Sequence, residues 1–227
     1  MKIAVIIPAV NEEQSIGKVL SDIPWDHVNE VIVVDNGSDD NTINEARKHR
    51  TTVLEEPKSG YGHACLRGIN YLRNSQEKPD IVVFIDGDYS DYPEEMVTLI
   101  KPIKEAGVDM VIGSRALGER ASGSMTPQQI FGNWLATSLM RWLYGASFTD
   151  LGPFRAIKFD SLVALNMVDT TYGWTVEMQI KAAKQNLSYT EVPVSYRKRI
   201  GKSKISGTIK GTIGAGYKIL TTIAKYR

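Results

Sequence analysis

Short runs of apolar, mostly β-branched residues, each followed by a polar loop and a helix-like stretch, constrain the fold of this chain more than any other feature. Residues 2–7, 30–34, 52–54, 81–85 and 108–113 read as strands. Between them, Ile16, Val19, Leu20 and Ile23 fall at the i, i+3, i+4, i+7 positions of an amphipathic helix. Residues 42–50, 62–73 and 93–101 also read as helices, the last of which Pro102 is expected to end or kink. This βαβα rhythm predicts an α/β fold with a mostly parallel sheet and helices on both faces. In the second half, Thr126-Pro127 starts a helix with a capping residue and a proline at the first helical position, and Gly145 closes it. Its wide apolar face, carrying Ile130, Phe131, Trp134, Leu135, Leu139, Trp142 and Leu143, is expected in a core or an interface. Residues 172–186 read as a further helix and 189–196 as a strand.

Parallel strands place their C-terminal ends on one sheet edge, where open α/β folds bind ligands. Four polar loops should therefore converge: Pro8–Glu13, Asp35–Thr42, Asp86–Asp91 and Gly113–Arg115. Each can also be a turn that caps the next helix. The third holds two carboxylates, Asp86 and Asp88, flanking Gly87 at the end of an apolar strand. Two close like charges repel unless a cation is present. Hard oxygen ligands facing a phosphorylated substrate suit magnesium or manganese. No GxGxxG follows the first strand and no Walker loop is present, which argues against a dinucleotide redox enzyme or a P-loop kinase. The glycine-rich stretch Lys58–Gly62 fits either close backbone approach to a phosphate or a flexible turn.

Composition bounds the rest. With one cysteine in 227 residues, Cys65, no intrachain disulfide forms, and the thiol is expected buried in a helix. The apolar N-terminus reads as a first strand and not as a signal peptide. No stretch approaches the roughly 20 apolar residues that cross a bilayer. Residues 192–227 carry nine Lys/Arg and no Asp/Glu, so the remainder is left with a net charge of −8. A basic tail on an acidic body suggests an anionic partner: nucleic acid, a phosphorylated ligand or a membrane surface. In that tail Ile209, Ile213, Leu220 and Ile223 can share one helical stripe. This suits a basic amphipathic helix at a membrane interface, or a terminal helix docked on the protein.

The motifs VIIPAVNEE at 5–13, VVDNGSDDNT at 33–42 and DGD at 86–88 resemble those of family 2 glycosyltransferases with the GT-A fold. FTDLGPFRA at 148–156 and RKRIGKSK at 197–204 look like the polyprenyl-phosphate sugar synthases, the dolichyl-phosphate mannose and glucose synthase branch. The resemblance implies a GT-A domain over residues 1–204, with 205–227 as a tail and not a separate domain. It implies that Pro8, Asn11, Glu12 and Asp35 hold the nucleotide, and that Asp86 and Asp88 hold a divalent metal, Mg or Mn, and the diphosphate. Arg115 falls near the donor. Arg155, Arg199, Ser203 and Lys204 match segments that meet the donor diphosphate or an acceptor phosphate, work for which guanidinium groups are suited.

The implied enzyme is an inverting transferase that moves a sugar from a nucleotide-sugar donor to a lipid phosphate. It would be peripheral on the cytoplasmic membrane face, with no transmembrane segment. Three departures bear on sugar and acceptor. Asn36 replaces a common Asp, Ser90 stands where the mannose synthases typically have Gln, and the arginines of the basic segment are spaced differently. A hydroxyl acceptor would need a general base, for which Asp150 and Glu177 are the candidates. Glu177 can instead pair with Lys181 on a helix surface, and Asp150 can order the turn before Gly152. The rival from another class is a nucleotide-binding regulatory or scaffold module, against which the mutually consistent metal, base-binding and acceptor motifs argue. Nucleic-acid binding lacks a reader motif.

Overall fold

Residues of strand 1 alternate between the two faces of the sheet, and both faces are covered. Ile3, Val5 and Ile7 point to one side, Ala4 and Ile6 to the other. This is why the parallel strands read as unbroken apolar runs. The structure, a computed structural model, describes residues 1–201 and 209–227. In chain order its elements are β1 (Ile3–Ala9), α1 (Ile16–Ser21), β2 (Glu30–Asp35), α2 (Thr42–Arg47), β3 (Thr52–Glu55), α3 (Tyr61–Asn74) and β4 (Ile81–Phe84). A 3-10 turn at Pro93–Glu95 then leads into α4 (Met96–Ala106) and β5 (Met110–Ser114). The remainder comprises α5 (Pro127–Tyr144), β6 (Arg155–Lys158), α6 (Phe159–Ala164), α7 (Trp174–Lys184), β7 (Tyr189–Pro193) and α8 (Ile209–Lys225).

The strands form one seven-stranded sheet in the order β3-β2-β1-β4-β6-β5-β7. Only β6 runs antiparallel, paired with β4 on one side and β5 on the other. The strand order reverses between β1 and β4, which opens a crevice over the carboxyl ends of those two strands. One face of the sheet buries Ile16, Val19 and Leu20 of α1 and Met96, Leu99, Ile100 and Ile103 of α4. The other packs on α3 and on Trp174 of α7, whose ring meets Phe84 of β4 edge-on at 4.8 Å. Each fully buried aliphatic side chain contributes about 1.5–3 kcal/mol relative to exposure.

Several expectations change. Pro102 neither ends nor begins α4 but lies inside it, and Gly107 in the left-handed region provides the stop. Pro102 has no N–H to donate to the carbonyl of Thr98, a residue on the exposed side of the helix. Helix α5 begins and ends as the sequence indicates, with a reciprocal capping box between Thr126 and Gln129 and a left-handed Gly145. Its apolar face is not all core: Phe131 and Trp134 are about 60% exposed and Trp142 is 77% exposed. Strand β6 and helix α6 have no counterpart in the sequence pattern. A four-residue strand with an arginine at its start gives no period-2 signal.

The described part of the tail lies against the body of the protein. Helix α8 packs on α5 and α7 and buries Thr222 and Ile223. The Tyr144 hydroxyl donates to the Ile223 carbonyl, and Lys218 pairs with Asp169 at 2.9 Å. The expected boundary at 204/205 lies outside the described residues.

Candidate active site

The loops after β1 and β2 are stitched together over the crevice. Asn36 N donates to the Ala9 carbonyl, Asn11 N to Ser38 Oγ, Asp39 N to Asn11 Oδ1, and Glu12 N to Thr42 Oγ1, at 2.7–2.9 Å. Asn11 adopts a left-handed backbone, which Asn tolerates better than most residues. Asp35 accepts the N–H groups of Gly37 and Ser38 on Oδ2, while its buried Oδ1 has no partner among the described residues. The Asn36 side chain donates to the carbonyls of Glu56 and Lys58 and accepts from Gly60 N at 2.7 Å. Only an amide can donate twice and accept once here, so the departure from Asp has a structural cause.

Below these loops lies a cavity of about 220 Å³ whose walls include Pro8, Val10, Glu12, Asn36, Asp86 and Asp88. A larger cavity of about 650 Å³ opens at the opposite sheet edge, between Lys2, Glu30, His49 and Glu77. The polar loops after β1, β2 and β4 line the smaller, carboxyl-end cavity and not this one.

At the end of β4 the two acidic residues differ in their partners. Asp88 is nearly buried, accepts from Ser90 N on Oδ1 at 2.9 Å, and faces Arg199 Nη1 with Oδ2 at 3.2 Å. Arg199 also holds Glu12 Oε1 through Nη2 at 2.8 Å. Asp86 Oδ1 is buried with no hydrogen-bond partner among the described residues. Burial, and next the charge of Asp88, push the Asp86 carboxyl up to about 7. An orphaned carboxylate oxygen beside a second carboxylate fits a hard divalent cation. Among the described residues no three His, Cys, Asp or Glu side chains are grouped to hold a metal alone. A cation at this pair would draw its remaining ligands from a bound phosphate and water, as magnesium commonly does.

The segment after β7 straps this loop down. Arg197 N donates to the Ser90 carbonyl and Ile200 N to the Asp88 carbonyl. The Arg197 guanidinium lies 3.4 Å from the Tyr89 ring centroid and 4.0 Å from that of Tyr92, and donates to the carbonyls of Tyr89 and Asp91. Tyr89 itself is held in a left-handed backbone conformation. That strain is outweighed by these contacts and by the bond from its hydroxyl to Asp22.

The remaining candidates separate sharply. Arg115 is secured by Asp150, whose carboxylate takes the Arg115 backbone N–H, Nε and Nη2 at 2.7–2.8 Å. Asp150 is 1% exposed, and despite its burial Arg115 holds its carboxyl below the usual range. Arg155 is fully buried and gives its guanidinium to the carbonyls of Leu151, Gly152 and Thr175. It lies in the core and not where a phosphate can reach it, because three main-chain acceptors from neighbouring turns satisfy it there.

Glu177 pairs with Lys181 at 2.7 Å as its spacing indicates, but it is buried and not on a helix surface. It also accepts the N–H groups of Val168 and Asp169 and the Tyr226 hydroxyl. Ser203 and Lys204 lie outside the described residues. The sequence pattern missed Arg197 as organiser of the strap, and Asp91, a buried carboxyl with no partner among the described residues. The third acid of the DGDYSD stretch was its only signal.

Residues 4–165 match the family model described as Glycosyl transferase family 2. The chain is 30% identical over 230 residues to an undecaprenyl-phosphate mannosyltransferase of Micrococcus luteus, covering 93% of this chain and 90% of the relative. It is 33% identical over 207 residues to a dolichyl-phosphate hexose transferase of Haloferax volcanii, covering 89% and 86%. Among solved structures, glucosyl-3-phosphoglycerate synthase from Mycobacterium tuberculosis, in complex with Mn2+, UDP and glucosyl-3-phosphoglycerate, matches with a TM-score of 0.77. The identity is 21%, over 99% of this chain and 79% of that one. From the family model, these relatives and the sheet with its acidic strand end, the chain belongs to glycosyl transferase family 2 and has the GT-A fold.

Proposed function

We propose that the protein transfers a sugar, with inversion, from a nucleotide-sugar donor to a polyprenyl phosphate at a membrane surface. The observation that carries this reading is the state of the carboxylates. Both candidate bases for a hydroxyl acceptor are committed: Asp150 to Arg115, and Glu177 to two backbone N–H groups, Lys181 and Tyr226. Asp91 keeps both oxygens buried, away from the solvent side from which an acceptor would approach. A phosphate nucleophile is already anionic and needs no base. The names of the Micrococcus and Haloferax relatives point the same way.

In this reading Asp35 and the Pro8–Glu12 loop bind the nucleoside, and Asp86 and Asp88 hold a divalent metal of the kind present in the mycobacterial complex. When bound, the metal supplies positive charge to the leaving diphosphate. Arg199, which pairs with Glu12 and Asp88 in the free protein, would turn to that diphosphate. Arg115, fixed by Asp150, offers a preorganised cation beside the reacting sugar. Among the described residues no helix is long and apolar enough to cross a membrane. Membrane contact is peripheral: exposed Phe131, Trp134 and Trp142 on α5, with Arg141 beside them, suit an interface of headgroups and acyl chains.

The test is product formation from a panel of UDP- and GDP-sugars, with Mn2+ or Mg2+, offered undecaprenyl phosphate or an alkyl glycoside. Transfer to the phosphate alone is the expected result. Transfer to the glycoside, lost in Asp150→Asn or Glu177→Gln variants that retain donor binding, would reject the phosphate acceptor in favour of a hydroxyl.

A further inference from the structure

Two aromatic side chains line the carboxyl-end cavity, and they are not equivalent. Tyr61 is packed edge-on against Trp174 with ring centroids 6.1 Å apart, and its hydroxyl is buried. Tyr172 comes from the loop between α6 and α7, in the second half of the chain. Its side chain has no hydrogen-bond or ring partner among the described residues, and the residue is 38% exposed. The first-motif loop contributes only Pro8, Ala9 and Val10 as apolar wall, with no ring.

The loop that carries Tyr172 is fastened from every side. Glu177 takes the N–H groups of Val168 and Asp169, the latter at 2.7 Å. Asp169 takes the N–H of Thr171 at 2.8 Å and pairs with Lys218 of α8. His63 N, at the start of α3, donates to the Thr170 carbonyl at 3.0 Å. The start of α3 must be glycine-rich for the loop to fit. A Cβ on Gly60 would stand 2.3 Å from the Thr170 carbonyl oxygen, and one on Gly62 would stand 2.2 Å from that of Asp169. So much local structure fixes a segment whose one solvent-facing ring borders the cavity.

The walls of that cavity decide what the ring meets. They include the β1 and β2 loops, Ser59 and Gly60, and the Asp86–Asp88 turn, but neither Arg115 nor Asp150, where the sugar would be transferred. We infer that Tyr172 is the aromatic platform on which the nucleobase of the donor stacks. Base recognition is then shared between the nucleotide half, through Asp35, and a loop of the second half. Glu177 and Asp169 are positioning residues that hold the platform; Lys218 of α8 braces Asp169, and Tyr226, just past α8, braces Glu177. This assignment rests on the nucleotide-sugar reading above. Aromatic faces stack on any base, so the ring adds affinity without choosing between uracil and guanine.

The experiment is titration calorimetry of the full chain with UDP, GDP and inorganic pyrophosphate in Mn2+. It compares wild type with Tyr172→Ala, Tyr172→Phe and Glu177→Gln, with melting temperatures recorded in parallel. Tyr172→Ala is expected to weaken the nucleotide that wild type binds by about tenfold, the scale of one base stack. Pyrophosphate affinity should stay within twofold, and Tyr172→Phe should stay close to wild type. In NMR spectra the base protons should shift upfield on binding to wild type and not to Tyr172→Ala. Nucleotide affinity unchanged in Tyr172→Ala, or pyrophosphate weakened equally, would overturn the platform while leaving the donor reading intact. A wild type that binds neither nucleotide would overturn both.

Discussion

Asp150→Asn is the substitution that best separates a structural carboxylate from a catalytic one. In the folded protein Asp150 accepts three charge-assisted hydrogen bonds from Arg115, at 2.7–2.8 Å, with side-chain exposures of 1% and 11%. The amide keeps one acceptor but turns its NH₂ toward the guanidinium, leaving a buried cation without a counter-charge. Breaking one partner of a buried pair costs about 3–5 kcal/mol. For a domain of this size each kcal/mol lowers Tm by about 2–4 °C, so a fall of roughly 10 °C is expected.

The assay is thermal unfolding by circular dichroism at pH 7, repeated on Arg115→Met and on the double variant. The double variant should lose less stability than the two single variants together. The pH dependence has a defined sign. The Asp150 carboxyl is held low in the folded state and titrates near its ordinary value of about 3.9 when unfolded. Its contribution is therefore complete above about pH 4 and is lost as pH falls below that through the folded value. Wild-type Tm should drop more steeply than that of Asp150→Asn in that range. An unchanged melting temperature at pH 7, together with abolished transfer and intact donor binding, would refute the clamp and restore Asp150 as a base.

Other outcomes follow from the same geometry. Asn36→Asp removes both donors to the Glu56 and Lys58 carbonyls and should cost about 1–3 kcal/mol, read as a lower Tm and faster amide exchange over residues 56–60. Arg199→Ala removes the cation facing Asp88 and Glu12; nucleotide-free Mn2+ binding, followed by electron paramagnetic resonance, should tighten while turnover falls. Phe131→Ser with Trp134→Ser should reduce sedimentation with anionic vesicles several-fold. Because both side chains are largely exposed, Tm should hardly move. Deleting residues 208–227 should instead lower Tm, since Thr222 and Ile223 are buried against the body.

What the sequence discloses follows from how local each signal is. The first half is a series of βα units whose two-sided burial writes unbroken apolar runs, so β1, β2 and β4 and the polar loops at their ends are legible within a few residues. Strand β6 is not, because it is four residues long and owes its place to two neighbours far away in sequence, Ile81–Phe84 and Met110–Ile112. The aromatic face of α5 is legible as apolar but not as exposed, since periodicity records a stripe and not what covers it. Arg155 illustrates the same gap at a site. An arginine in a phosphate-binding motif and an arginine that satisfies three buried carbonyls are the same letter.

The acidic residues carry this point into the chemistry. Asp88, Asp150 and Glu177 are all nearly or fully buried, and what distinguishes them is the partner each has. Asp150 meets a guanidinium and is locked as its counter-ion. Glu177 meets two backbone N–H groups, a lysine and a tyrosine, and fixes a loop. Asp88 faces Arg199, a cation on a long side chain that a metal with a diphosphate can outbid. Asp86, like Asp91, leaves an oxygen buried and without a hydrogen bond among the described residues, and beside the charge of Asp88 this arrangement costs energy until a cation arrives. A folded chain keeps such a defect where a ligand relieves it, and here it sits at the switch point of the sheet, beside the loops suited to hold a nucleotide.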